Sequence, residues 1–208
     1  MFSKNSSRKL PQQKMTPTQW GRQMTNWIVV PIADLLANWG ISPNLLTVAG
    51  LLANMAAALL LARGELVWAG VVLLILGPLD GLDGALARRL NQSSKTGAFL
   101  DSNFDRLSEI AVYLGLVWHY QEQNYQAGVI LAYLTITGSL MVSYARARAE
   151  ALGAECQIGI MTRMERFLVL LIGLFSGYMT LALAAMAALT YVTVLQRIWH
   201  TRKELKER

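Results

Sequence analysis

Long runs of uncharged, mostly apolar residues constrain the fold of this chain more than any other feature. Residues 35–62, 123–145 and 167–196 contain no lysine, arginine, aspartate or glutamate. A helix needs about 20 mostly apolar residues to cross the hydrocarbon core of a bilayer. Charged residues make up only 15% of the 208 residues, against roughly 25% in an ordinary soluble domain. The sequence therefore predicts an all-α integral membrane protein.

The distribution of lysine and arginine predicts six membrane-spanning helices. Cytoplasmic loops are enriched in these residues. With six spans, all 19 lysines and arginines except Arg63 lie on one side of the membrane, whereas five spans would leave a basic terminus outside. Both termini are therefore predicted to be cytoplasmic, at the cell membrane. The first predicted span is residues 45–62, after a break at Ser42-Pro43, and the second starts at Leu66 and runs into Asp80. The third follows Asp101 and Asp105, and the fourth is residues 123–145. The fifth and sixth are the two parts of residues 167–196 on either side of Ser176-Gly177.

Four regions are expected along the chain. Residues 1–15 are polar and basic and are predicted to be a flexible tail. Residues 16–40 carry tryptophans and aliphatic residues at near-helical spacing, which predicts an amphipathic helix on the cytoplasmic surface; a simple hydrophobic leader is the alternative. Residues 41–200 form the predicted six-helix domain, and residues 201–208 a charged C-terminal tail.

Charged residues occur within the predicted spans, where each is costly unless it has a partner or water. In the second to fifth spans, these charges are confined to the cytoplasmic half. This arrangement predicts a polar cavity that opens to the cytoplasm.

Four of the five aspartates lie in this region, at Asp80, Asp83, Asp101 and Asp105. Spacings of three and four residues place each pair on one face of a helix. Four converging carboxylates would repel one another, and divalent cations would relieve that repulsion. Oxygen ligands suit Mg²⁺ or Mn²⁺ rather than zinc. The alternative is that each aspartate caps a helix or pairs with a nearby arginine.

The spacing of these residues resembles the signature of the CDP-alcohol phosphotransferase family, also called CDP-alcohol phosphatidyltransferases. The family pattern is D-x2-D-G-x2-A-R-x8-G-x3-D-x3-D, and all eight defined positions match between Asp80 and Asp105. The Ser42-Pro-Asn-Leu-Leu-Thr47 segment before the first span and the six-span layout also resemble the family. The likeness covers about residues 30 to 190.

The resemblance implies transfer of a phosphatidyl-type group from a CDP-activated lipid to an alcohol, with release of CMP. It implies that Asp80, Asp83 and Asp101 hold two divalent ions, and that Asp105 contributes to that site and accepts the proton of the acceptor hydroxyl. It also implies that the CDP moiety contacts Gly84, Ala87 and Arg88, and that the protein is a homodimer.

Three further arginines point to a phosphorylated acceptor. Arg146, Arg163 and Arg166 are predicted to lie at one membrane surface, where their guanidinium groups suit a phosphate. Anchoring to anionic lipid headgroups is the alternative. The segments Ser143–Glu150 and Arg163–Arg166 most resemble the bacterial phosphatidylinositol phosphate synthases and their archaeal counterparts, which implies inositol phosphate as the water-soluble acceptor.

Other functions remain open at this point. Phosphatidylglycerophosphate synthase, which uses glycerol 3-phosphate, is the nearest alternative in the family. A metal or ion transporter would also carry carboxylates within its spans, but the far halves of these spans have no acidic residue that continues a path. A non-catalytic membrane scaffold is a third possibility. The net charge of +6 fits an anionic membrane surface, and no nucleic-acid partner is expected.

Overall fold

The computed structural model describes residues 29–77 and 79–207, with the backbone alone at Leu79 and Asp80. The predicted tail and the predicted interfacial helix up to residue 28 lie outside the described residues. Every regular element in the described part is a helix, in agreement with the predicted all-α fold. The helices are α1 (Val29–Asn38), α2 (Pro43–Ala62), α3 (Leu66–Leu76), α4 (Leu79–Arg89), α5 (Lys95–Glu122), α6 (Gln126–Ala151), α7 (Arg163–Ser176) and α8 (Met179–Lys206).

Within the described part of the chain, four segments are long and apolar enough to cross a membrane, and they indicate a membrane protein. They are Pro43–Ala62, Leu66–Arg89, Gln126–Ala151 and Met179–Lys206. The second segment combines α3 and α4; the sequence has a proline between them, and proline lacks the N–H needed to continue a helix. The third and fifth predicted spans correspond to α5, whose first half is charged, and to α7, which has 14 residues.

Local sequence explains where several helices begin and end. Ser42 accepts a hydrogen bond from the backbone N–H of Leu45, and Pro43 occupies the first turn of α2, where no N–H is required. Gly177 adopts a left-handed conformation with φ of 77° and ends α7. The chain therefore breaks at the predicted Ser176-Gly177 position. At the C-terminus, α8 continues through Lys206, so most of the predicted charged tail extends the last helix instead of following it.

Helices α2 and α5, which both carry polar side chains, pack closely against each other. A Cβ atom at Gly115 on α5 would lie only 2.4 Å from the carbonyl oxygen of Ala58 on α2. Glycine thus permits an approach that a larger residue would prevent. Leu61 and Leu116, both fully buried, belong to the apolar core around this contact. This core holds α2 and α5 together, and the N-terminal part of α2 also packs against α4 through Leu46.

A smaller apolar cluster attaches α1 to α4. Leu82 and Leu86 on α4 are buried together with Leu46 of α2, and Leu36 of α1 packs against them. At the surface, Arg89 Nε lies 2.5 Å from Asp34 Oδ1. Helix α1 is therefore attached directly to α4, the helix that carries Asp80 and Asp83.

Candidate active site

The first two aspartates of the signature lie on α4 and the last two on α5, and a cavity of about 450 Å³ lies among α2, α4 and α5. Its walls combine small residues with polar and charged ones. Residues lining the cavity include Ser42, Asn44, Thr47, Asp83, Gly84, Ala87, Arg88, Ser94, Gly97, Ala98 and Asp101. The three residues predicted to contact CDP therefore line the same space as two of the predicted metal ligands.

Asp83 is held in a defined orientation inside this cavity wall. Its side chain is buried, and its Oδ2 atom accepts a hydrogen bond of 2.6 Å from the hydroxyl of Thr47. Its Oδ1 atom accepts a hydrogen bond from the backbone N–H of Gly84. The Thr47 hydroxyl also lies 3.2 Å from the carbonyl oxygen of Pro43. These two hydrogen bonds fix the orientation of the Asp83 carboxylate in the cavity wall.

Asp101 and Asp105 are one turn apart on α5, as their spacing predicts. Asp101 lines the large cavity, whereas Asp105 lines a smaller one of about 60 Å³ together with Asn54, Ser108 and Glu109. Asp105 Oδ2 accepts a hydrogen bond of 2.5 Å from Nη1 of Arg163. The structure thus brings the predicted proton acceptor into contact with a predicted phosphate-binding arginine.

Each of the three predicted acceptor arginines pairs with a carboxylate in this structure. Arg166 is buried, and it donates to both carboxylate oxygens of Glu109, over 2.7 Å from Nε and 3.1 Å from Nη2. Arg146 is exposed and pairs with Glu150 on the same helix over 2.7 Å. Each of the three therefore has a carboxylate partner, and Arg163 and Arg166 lie closest to the aspartates.

Local interactions at the start of α7 fix the backbone that carries Arg163. Thr162 and Glu165 form a capping box, in which the Glu165 carboxylate accepts hydrogen bonds from the hydroxyl and the backbone N–H of Thr162. The preceding loop is attached to α8, because Met161 N–H donates to Thr193 Oγ1 over 3.0 Å and Arg197 Nε donates to the Ile158 carbonyl over 2.9 Å.

The chemistry of the donor set fits a hard divalent cation. Asp83, Asp101 and Asp105 offer only oxygen ligands, which is what Mg²⁺ and Mn²⁺ prefer. Among the side chains that the structure describes, no three acidic, histidine or cysteine residues already surround one point. The side chain of Asp80, the fourth predicted ligand, lies outside that description.

Sequence reasoning assigned no role to two side chains that complete this region, Thr47 and Glu109. Thr47 belongs to the Ser42–Thr47 segment noted above, but its contact with Asp83 joins residues 36 positions apart. The sequence indicates a site role for Glu109 more clearly, because Glu109 continues the four-residue spacing of Asp101 and Asp105 on one face of α5. An acidic residue in an apolar helix also needs a partner. That partner is Arg166.

Comparison with known proteins agrees with this architecture. Residues 40–199 match the family model for CDP-alcohol phosphatidyltransferase. The archaetidylinositol phosphate synthase of Methanothermobacter thermautotrophicus is 37% identical over 191 residues, which covers 89% of this chain and 94% of that protein.

Two crystal structures of the Mycobacterium tuberculosis phosphatidylinositol phosphate synthase are also similar, each with 31% sequence identity. The structure with CDP-DAG bound has a TM-score of 0.75 and covers 84% of this chain and 93% of that one. The complex with manganese and citrate has a TM-score of 0.76, with coverage of 84% and 88%. Together, the matched family model, the relative and the shared fold establish that this chain belongs to the CDP-alcohol phosphatidyltransferase family of enzymes.

Proposed function

We propose that the protein transfers a phosphatidyl-type group from a CDP-activated lipid to a hydroxyl of inositol phosphate and releases CMP. The observation that carries this proposal is the 2.5 Å contact between Arg163 and Asp105. It supports a phosphorylated acceptor, because an arginine suited to a phosphate lies directly beside the predicted proton acceptor. The archaeal relative and the mycobacterial structure both bear names of inositol phosphate lipid synthases.

The residues of the large cavity suit the CDP part of the donor. Gly84 and Ala87 leave room for close approach to the α4 backbone, and Arg88 supplies a positive charge for the pyrophosphate. Asp80, Asp83, Asp101 and Asp105 would hold two Mg²⁺ or Mn²⁺ ions. When bound, such ions polarise the phosphoryl group and neutralise charge that develops on the departing CMP.

The proposed reaction is a direct displacement. The acceptor hydroxyl oxygen attacks the β-phosphorus of the donor, and the bond between that phosphorus and the oxygen bridging to CMP breaks. Asp105 takes the hydroxyl proton. Arg163 binds the phosphate of the acceptor, with Arg146 and Arg166 as further phosphate-binding residues. This orients the acceptor so that its hydroxyl faces Asp105.

The membrane arrangement is part of this proposal. The helices α5 and α7 serve as the third and fifth of six spans, both termini and the large cavity face the cytoplasm, and the enzyme works as a homodimer in the cell membrane. The 28 residues of α5 give it a length of about 42 Å, which suffices to cross. Arg63→Cys should react with an impermeant thiol reagent in intact cells, and Arg202→Cys should react only after permeabilisation.

The acceptor is tested with purified protein, CDP-diacylglycerol and radiolabelled acceptors. We expect label to enter lipid from inositol 1-phosphate, with equal release of CMP, and Asp105→Asn to abolish both. Transfer from glycerol 3-phosphate alone would identify a phosphatidylglycerophosphate synthase instead. Failure with both acceptors would contradict a phosphorylated acceptor.

A further inference from the structure

Ion pairs join α5 to α7, and those of Glu109 and Asp105 differ in burial. Glu109 and Arg166 form the buried pair, with 16% and 2% of their side chains exposed. Asp105 and Arg163 form the second pair, in which the Arg163 side chain is 44% exposed. Arg166 also donates to the carbonyl of Met161, in the loop before α7, over 3.2 Å. The Glu109–Arg166 pair involves neither Asp105 nor Arg163, so it links the two helices independently of them. The half-exposed Arg163 side chain can therefore change partner while α5 and α7 stay in place.

The Asp105 carboxylate has two uses that conflict. Its Oδ2 atom accepts a hydrogen bond from the Arg163 guanidinium, and the same carboxylate belongs to the proposed cation site. A guanidinium and a divalent cation on one carboxylate repel each other, since like charges a few ångströms apart interact strongly where water is scarce. Occupation of Asp105 by one cation thus weakens the binding of the other.

A phosphate offers Arg163 another partner. The planar guanidinium forms paired hydrogen bonds with phosphate oxygens, and its partial exposure leaves it accessible to a solute. Resting on the proposed function, we infer that Arg163 is an exchangeable counter-ion of Asp105: it competes with a divalent cation for that carboxylate, and a phosphate group that binds the guanidinium relieves the competition.

This exchange couples the two halves of the site. If a phosphate strengthens cation binding, the cation strengthens phosphate binding by the same factor, because linkage is reciprocal. The Asp105 oxygen that Arg163 releases can then face the hydroxyl of a phosphorylated acceptor. In the absence of the acceptor, the Arg163 pair disfavours attack on the donor by water.

The competition is tested by titrating the purified full-length protein with Mn²⁺ and following the free ion by electron paramagnetic resonance, without any lipid donor. We expect Arg163→Gln to bind Mn²⁺ at least about fivefold more tightly than the unmodified protein, which is the lower range of typical coupling. The matched control is Arg148→Gln, which removes an exposed arginine from the last turn of α6 and should leave the affinity unchanged. Equal or weaker Mn²⁺ binding by Arg163→Gln would overturn the inference.

The coupling is tested in the unmodified protein, so this second measurement needs no variant to fold. Inorganic phosphate should tighten Mn²⁺ binding about fivefold, after correction for the Mn²⁺–phosphate complex measured without protein. If phosphate does not tighten Mn²⁺ binding, the inference is overturned. The metal site of the proposed function would still stand if Mn²⁺ binds and Asp83→Asn abolishes that binding. Failure of the unmodified protein to bind Mn²⁺ would overturn both.

Discussion

The hydroxyl of Thr47 on α2 donates a hydrogen bond to Oδ2 of Asp83 on α4, over 2.6 Å. Both side chains are buried, and both line the large cavity. A carboxylate oriented in this way presents its remaining lone pairs in a fixed direction. Groups that orient a metal ligand are often nearly as important for activity as the ligand itself.

Replacing Thr47 with valine should lower the rate of CMP release by about tenfold or more. The substitution keeps the shape of the side chain but leaves Asp83 without its hydroxyl donor. Thr47→Ser retains the hydroxyl and should restore most of the activity. Comparing initial rates for the two variants at saturating donor separates these effects, and an unimpaired valine variant would contradict a positioning role for Thr47.

Breaking the buried pair between α5 and α7 should destabilise the protein. Glu109→Gln leaves the Arg166 guanidinium buried without a full counter-charge, which typically costs about 3–5 kcal/mol. We expect a clearly lower midpoint of thermal unfolding in detergent. The control is Glu150→Gln, which removes the partner of Arg146 from an exposed pair and should cost about 1 kcal/mol or less. Similar midpoints for the two variants would show that the buried pair does not hold the helices together.

The elements that sequence could predict are those encoded locally. Hydropathy located the four strongly apolar segments, the predicted break at Ser176-Gly177 coincides with the left-handed Gly177 that ends α7, and the four-residue spacing placed Asp101 and Asp105 on one face. The motif Asp83-Gly84-x2-Ala87-Arg88 likewise predicted residues that line one cavity. Each of these depends on residues close in the chain, where helix geometry dictates which side chains are neighbours.

The ion pairs of the site could not be predicted in the same way. Asp105 with Arg163 and Glu109 with Arg166 join residues 58 and 57 positions apart. Such contacts depend on how α5 and α7 pack, which no periodicity within either helix specifies. The shared role predicted for Arg146, Arg163 and Arg166 stays a prediction, and the structure adds the carboxylate that each of them contacts.

Close packing of α2 and α5 should be sensitive to a single methyl group. At Gly115 an added Cβ would lie 2.4 Å from the Ala58 carbonyl oxygen, so Gly115→Ala should force the helices apart and cost about 1–3 kcal/mol. The matched control is Gly81→Ala, because a Cβ at the exposed Gly81 meets nothing within 4 Å and alanine favours the helix. Thermal unfolding of both variants measures the difference; a Gly115→Ala variant at least as stable as the control would contradict the packing.

Attachment of α1 to α4 should depend on apolar burial more than on the surface ion pair. Leu86 is fully buried in the cluster that includes Leu36, and Leu86→Ala should cost about 2–5 kcal/mol. Asp34→Asn breaks the ion pair between Asp34 and Arg89, in which the two side chains are 41% and 63% exposed, respectively. This substitution should cost about 1 kcal/mol or less. Denaturation of each variant in matched detergent measures the order of these effects, and a larger loss for Asp34→Asn would reverse our ranking.

The proposed function requires that the phosphate of the acceptor binds beside Asp105, the group that takes the acceptor proton. The most direct test measures CMP release from CDP-diacylglycerol by the purified protein with Mn²⁺ or Mg²⁺, using inositol 1-phosphate in one sample and unphosphorylated myo-inositol in the other. We predict CMP release and lipid product with inositol 1-phosphate and no release above background with myo-inositol. Equal rates with the two acceptors would contradict the account.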